Sequence, residues 1–148
     1  MATVTKTATI PASTTDVWAV LADYAGISGW APNVDHSCLL SEQTEGVGMV
    51  RRNQVGRNTV VETVLIYDPV DTLSYSITGL PPVIKSVSNT WHLEAMGEQT
   101  TATLTTEIDT GPRPPQKAIA KAVGRTMGAA SDQMLAGLTA HFADRANA

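Results

Sequence analysis

The chain has 148 residues, 43% of them hydrophobic and 16% charged, with a formal net charge of −4. That is a globular composition long enough for one real core, expected as a single domain over 1–148, and it argues against a disordered segment or a non-specific nucleic-acid binder. The single cysteine, Cys38, excludes an intramolecular disulfide framework and a cysteine-based zinc site. No apolar run nears membrane-span length, and the first residues lack a basic segment followed by an apolar core, so a cytoplasmic protein is expected.

Residues 3–10 alternate β-branched and small side chains and stop at Pro11, the pattern of a strand. Ser13 is a natural N-cap with Asp16 in the first turn of a short helix over 12–23, whose Val17, Trp18 and Leu21 share a face. Gly26 and Gly29 end it, and a second short helical turn is expected before the break at Trp30-Ala31-Pro32. Six strands follow, over 34–40, 49–53, 59–67, 73–78, 86–95 and 102–108. The turns between them carry Gly46-Val47-Gly48, Gly56-Arg57-Asn58, Asp68-Pro69, Gly79-Leu80-Pro81-Pro82 and Gly97-Glu98-Gln99-Thr100. Consecutive strands joined by short turns imply an antiparallel meander.

Residues 113–146 read as one long amphipathic helix, with Pro112, Pro114 and Pro115 suited to its start. Ile119, Val123, Met127, Ala130, Met134 and Leu138 fall in one stripe, joined by Gly137, while Lys121, Arg125, Asp132 and Thr139 fall opposite. Such a helix reaches roughly 43 Å from Pro115 to Ala143 and needs a cover. A curved sheet wrapped on it is the evident one. Methionine, alanine and glycine in the stripe allow close approach or leave room for a guest. Gly124 and Gly128 share a shoulder with Leu135, which suggests close approach by another element or a partner subunit; a monomer or homodimer is expected.

The chemistry-bearing residues are few. Asp35-His36-Ser37-Cys38 offers ligand types, but alternate strand residues face apart and no second cluster exists, so neither a metal nor a cofactor is expected. His92 lies in a polar strand phase and His141 near the helix end. There is no G-x-S-x-G, and Gly46-x-Gly48 lacks the third glycine and helix of a dinucleotide loop. Three polar residues stand in apolar phases: Asn89 between Val87 and Trp91, Tyr75 between Leu73 and Ile77, and Glu62 between Val60 and Val64. For Glu62 the other phase, Thr63, Leu65 and Tyr67, is an equally good inner face. Arg52, in phase with Val50, is the expected partner of Glu62, and Trp30 is expected as a pocket wall.

Ile10-Pro11-Ala12, Asp16-Val17-Trp18, Leu21-Ala22-Asp23 and Trp30-Ala31-Pro32-Asn33-Val34 resemble the opening of the START-like (SRPBCC, Bet v 1-like) superfamily in its polyketide cyclase/dehydrase branch. Tyr67-Asp68-Pro69, Leu73-Ser74-Tyr75, Gly79-Leu80-Pro81 and Trp91-His92-Leu93 agree with it. The resemblance implies an α+β helix-grip fold. In it a seven-stranded antiparallel sheet wraps a long C-terminal helix, two short helices lie between strands 1 and 2, and a deep pocket lies between sheet and helix. It also implies a hydrophobic ligand, lipid- or polyketide-like. Walls are then expected from Trp30, Tyr75, Trp91, Met127, Ala130 and Met134, with Asn89, Glu62 and Arg52 as polar contacts. The expected function is binding or transport, with no catalytic residue. The alternative is a polyketide cyclase or dehydratase using Glu62 as acid/base, with Tyr75 as the other candidate. The Gln54-to-Asn58 turn, the loop at 79–82, Trp30 and the start of the long helix are expected to form the mouth.

Overall fold

The computed structural model describes residues 2–82, 84–111 and 114–146, with the backbone alone at 114–117, 145 and 146. Strand β1 (Ala2–Ile10) leads through Ser13, whose hydroxyl accepts from the Asp16 N–H, into helix α1 (Thr14–Ala22). Its apolar face, Val17, Trp18 and Leu21, is buried as the spacing predicts. A 3₁₀ helix over Tyr24–Gly29 follows. Then come β2 (His36–Leu39), β3 (Val50–Val55), β4 (Asn58–Asp68), β5 (Thr72–Thr78), β6 (Ser86–Met96) and β7 (Gln99–Asp109). Helix α2 (Pro114–Ala146) closes the chain as 33 residues without interruption. The proline-led start expected at Pro112 and Arg113 lies outside the described residues, as do the side chains of Pro114 and Pro115.

The strands form one antiparallel sheet in the order β1-β7-β6-β5-β4-β3-β2. The meander runs from β2 to β7, and β1 returns to the far side of β7. This is the expected helix-grip arrangement. Alternate residues of each strand turn inward, so Val64, Leu73, Tyr75, Trp91, Leu104 and Ile108 are all at most 1% exposed and form the floor on which the helices rest.

Two details change the sequence-based reading. In α2 the buried side is rotated from the predicted stripe towards Ala120, Gly124, Gly128, Ser131 and Leu135. Of the predicted members, Met134 and Leu138 are buried, whereas Ile119, Val123, Met127 and Ala130 are only partly covered. The reason is β1, which with β7 forms the helix's main contact. A side-chain carbon on Gly124 or Gly128 would sit 3.4 or 3.2 Å from the Val4 methyls, so the glycine shoulder is the seam with β1. In β4, the pairing with β5 shifts between Val64 and Ile66. Val60, Glu62 and Val64 face inward before this bulge; after it Leu65 and Ile66 are about half exposed, and Tyr67 turns in to meet Trp18 edge-on at 5.3 Å. Each of the two candidate phases is therefore the inner one over part of the strand.

Candidate functional site

The two-residue turn at Gly56-Arg57 sets the β3–β4 register, with Val55 opposite Asn58 and therefore Arg51 opposite Glu62 and Asn53 opposite Val60. Directly opposed residues share a face. The inner phase of β3 is thus Arg51 and Asn53, both 2% exposed, continuing from the buried Met49 just before the strand. Arg52, the residue expected to pair with Glu62, points outward, where its guanidinium meets Gln54 and Thr59. Two adjacent arginines cannot be separated by composition, yet counting back from the turn identifies Arg51 as the one opposite Glu62.

Glu62 is 6% exposed, and the donors it meets converge on one of its oxygens. Arg51 Nε donates to Oε1 at 2.7 Å and Arg51 Nη2 lies 2.6 Å from it, while Asn53 Nδ2 donates to it at 2.9 Å. Among the described residues no donor reaches Oε2. The third arm of the guanidinium, Nη1, donates to the Tyr24 carbonyl at 3.0 Å. Its Cζ lies 3.8 Å from the Tyr24 ring centre and 4.7 Å from that of Tyr75, and the two rings meet edge-on. Burial opposes the charge on Arg51, but Glu62 and the two tyrosines outweigh it and hold its pKa above the ordinary value. Burial raises the pKa of the Tyr24 and Tyr75 phenols as well.

Next to this pair lies a cavity of about 220 Å³ between the sheet and the middle of α2. Ile27, Val34, Val55, Val60, Ile77 and Leu80 line it from the sheet and loops, and Met127, Ala130 and Met134 from the helix. Its polar border includes Glu62, Asn53, Asn33, Asn89 and Thr106. Five of the expected residues, Glu62, Asn89, Met127, Ala130 and Met134, are thereby brought together. Asn89 is already engaged: its Oδ1 accepts from the Thr106 hydroxyl at 2.6 Å and its Nδ2 donates to the Tyr75 hydroxyl at 3.4 Å. Asn53 and Asn33 were not singled out from the sequence. Each carries a buried Oδ1 without a hydrogen-bond partner. An asparagine in a short polar strand or after a proline gives no sign of burial until the register is known.

Tyr75 and Trp91 do not border the cavity. They lie behind it, buried, with Trp91 Nε1 donating to the Tyr75 hydroxyl at 3.2 Å. Trp30 is not a cavity wall either. It packs edge-on against Trp91 at 5.9 Å, its carbonyl abuts Gly137, and it lines a separate surface groove with His141 and Phe142. The contact of its carbonyl with Gly137, in the second half of α2, places Trp30 away from the expected mouth. The turn and loop residues Val55, Asn58 and Leu80 do border the cavity, together with Thr126 from the middle of the helix rather than its start. His92 is exposed beside Asp71 at 3.4 Å. Among the described residues no three His, Cys, Asp or Glu side chains are grouped as metal ligands would be, and no helix is long and apolar enough to cross a membrane.

Comparison with known proteins extends these observations. No curated protein sequence matches the chain significantly. Among solved structures it is similar to the Zhui aromatase/cyclase of a Streptomyces species, with 22% identity, a TM-score of 0.81, and 98% of this chain and 95% of that one covered. A START superfamily protein from Mycobacterium smegmatis superposes with a TM-score of 0.75 at 13% identity, over 96% and 97% of the two chains. The di-domain aromatase/cyclase BexL gives 0.78 at 17% identity, over 97% of this chain and 47% of its own. At such identities these likenesses speak for the fold. The model of the family described as polyketide cyclase/dehydrase and lipid transport matches residues 1–143. With the helix-grip sheet, the long closing helix and the cavity between them, the chain belongs to that family.

Proposed function

We propose that the protein binds or carries a hydrophobic or aromatic small molecule in the cavity between the sheet and α2. One observation carries this reading. Among the described residues that border the cavity, Glu62 alone has an ionisable side chain, and one of its oxygens is already held by Arg51 and Asn53. The rest of the wall is aliphatic, thioether, hydroxyl and amide, which supplies shape and dispersion but little proton transfer. The test is native mass spectrometry of the purified protein with and without Ala130→Trp, which fills the cavity. A small molecule retained by the unmodified protein and absent from the variant is expected. Equal retention by both would move the ligand elsewhere and sink the reading.

The alternative, a cyclase or dehydratase, is favoured by the family match and by Oε2 of Glu62, which no donor among the described residues reaches. Tyr75 offers less, because its hydroxyl accepts from Asn89 and Trp91 and its ring stands behind the cavity wall. Turnover of an aromatic polyketide precursor, present in the native protein and lost in a folded Glu62→Gln variant, would favour this alternative over carriage.

A further inference from the structure

We infer that the open edge of β1 is a docking site for an extended, acidic segment of another protein. The segment adds to the sheet as a further strand and turns alternate carboxylates towards Lys121 and Arg125 of α2. This surface shares no residue with the cavity.

The two edges of the sheet differ. β2 is four residues long and is tied to the 3₁₀ helix, the Ser37 hydroxyl donating to the Ala25 carbonyl and accepting from the Ser28 N–H. A short edge strand with an element fastened to it is a poor template for further pairing. β1 is nine residues long, ends the strand order and pairs with β7 alone. Among the described residues, half of its backbone N–H and C=O groups therefore have no strand to meet. Its inner-phase residues Ala2, Val4 and Lys6 are only partly covered, and they line a groove of about 510 Å³ between this edge and the outer shoulder of α2.

Charge selects the occupant. Lys6, Lys121 and Arg125 line the groove against one carboxylate, Asp132, in a chain whose net charge is −4. Lys6 is held by Asp132 at 3.3 Å. Lys121 and Arg125 are exposed and meet no acid among the described residues. They stand one turn apart, about 6 Å along α2, and alternate side chains of a strand are about 6.6 Å apart. The helix runs along the strand, since a side-chain carbon on Gly124 would meet Val4 and one on Gly128 both Val4 and Lys6. Carboxylates at every second position of an added strand thus match the two cations, while its backbone meets the open groups of β1. A second copy of this chain fits worse. Its β1 carries a lysine and no acid, so two paired β1 edges would bring further positive charge and no counter-charge from the strand.

The test is fluorescence anisotropy of the whole protein with labelled nine-residue peptides. One alternates glutamate and threonine, a second has the same composition with its glutamates in one block, and a third alternates lysine and threonine. The alternating acidic peptide should bind, the block peptide at least about tenfold more weakly, and the basic peptide not at all. Lys121→Gln with Arg125→Gln should weaken the first peptide about tenfold. Arg57→Gln with Lys85→Gln, the same change of charge at exposed positions off the groove, should leave it unchanged. Methylating the backbone nitrogens of alternate peptide residues should abolish binding in one phase and spare it in the other, because only one phase faces β1. The inference fails if the alternating peptide binds no better than either control, if the two double variants bind it alike, or if the two methylation phases behave alike. The peptide series on the unmodified protein decides should a variant not fold. Sedimentation covers the remaining occupant: a dimer of the protein by itself, lost with Lys121→Gln and Arg125→Gln, would put a second copy on the edge and overturn the inference.

Discussion

Arg51 and Glu62 show why a single buried residue cannot be judged alone. The ion pair is 2–6% exposed, and both partners are removed from water at a cost that only their mutual contact and the surrounding donors offset. Glu62→Gln would leave the Arg51 guanidinium without its counter-charge between two tyrosine rings. We expect that single substitution to lower stability by about 3–5 kcal/mol, while Arg51→Met combined with Glu62→Leu should cost much less. Urea unfolding of the three proteins checks this; a nearly neutral Glu62→Gln would mean that water reaches Arg51. The same experiment guards any activity assay on Glu62, since lost turnover in an unfolded variant says nothing about proton transfer.

At the scale of elements, the seam between α2 and β1 depends on side chains that are absent. Gly124 and Gly128 each destabilise a helix interior by about 1 kcal/mol relative to alanine, yet α2 passes through both unbroken. The close approach to Val4 explains their presence. Gly128→Leu would force branched carbons into a contact that is already 3.2 Å at the first atom, and overpacking of this kind costs about 1–3 kcal/mol. A lowered denaturation midpoint is expected for Gly128→Leu. A midpoint that does not move would mean that β1 yields to the helix. The Lys6–Asp132 pair across the same seam, at 3.3 Å and largely exposed, contributes little by comparison.

For the whole molecule, the tyrosines beneath the cavity make stability depend on alkaline pH. Burial, reinforced by Glu62, holds the Tyr75 phenol neutral beyond its ordinary pKa of about 10. Tyr24 is shifted the same way, again chiefly by burial. Both native pKa values lie above the unfolded ones, so the contribution to stability is complete below about pH 10 and is lost as pH rises beyond it. Each tyrosine then removes up to about 1.4 kcal/mol per pH unit. Ultraviolet tyrosinate absorbance of Tyr24→Phe and Tyr75→Phe variants should show these two phenols ionising only as the chain unfolds. Ionisation of either in the intact fold at pH 10 would contradict their burial.

The sequence alone determined the order of elements, the N-cap at Ser13, the meander, the long terminal helix and the family. These follow from period-two and period-3.6 patterning and from turn residues, which are local properties of the chain. It also contained more of the site than composition reveals, because the Gly56-Arg57 turn counts Arg51 onto Glu62. The tertiary structure alone decided which face of β4 and of α2 met the interior. The bulge in β4 changes phase within one strand, β1 rotates the buried side of α2, and Trp30 packs on Trp91 behind the cavity rather than beside it. Asn53 and Asn33 became visible only there, because an unpaired acceptor is defined by every neighbour that fails to reach it, and those neighbours come from strands and helices far apart in sequence.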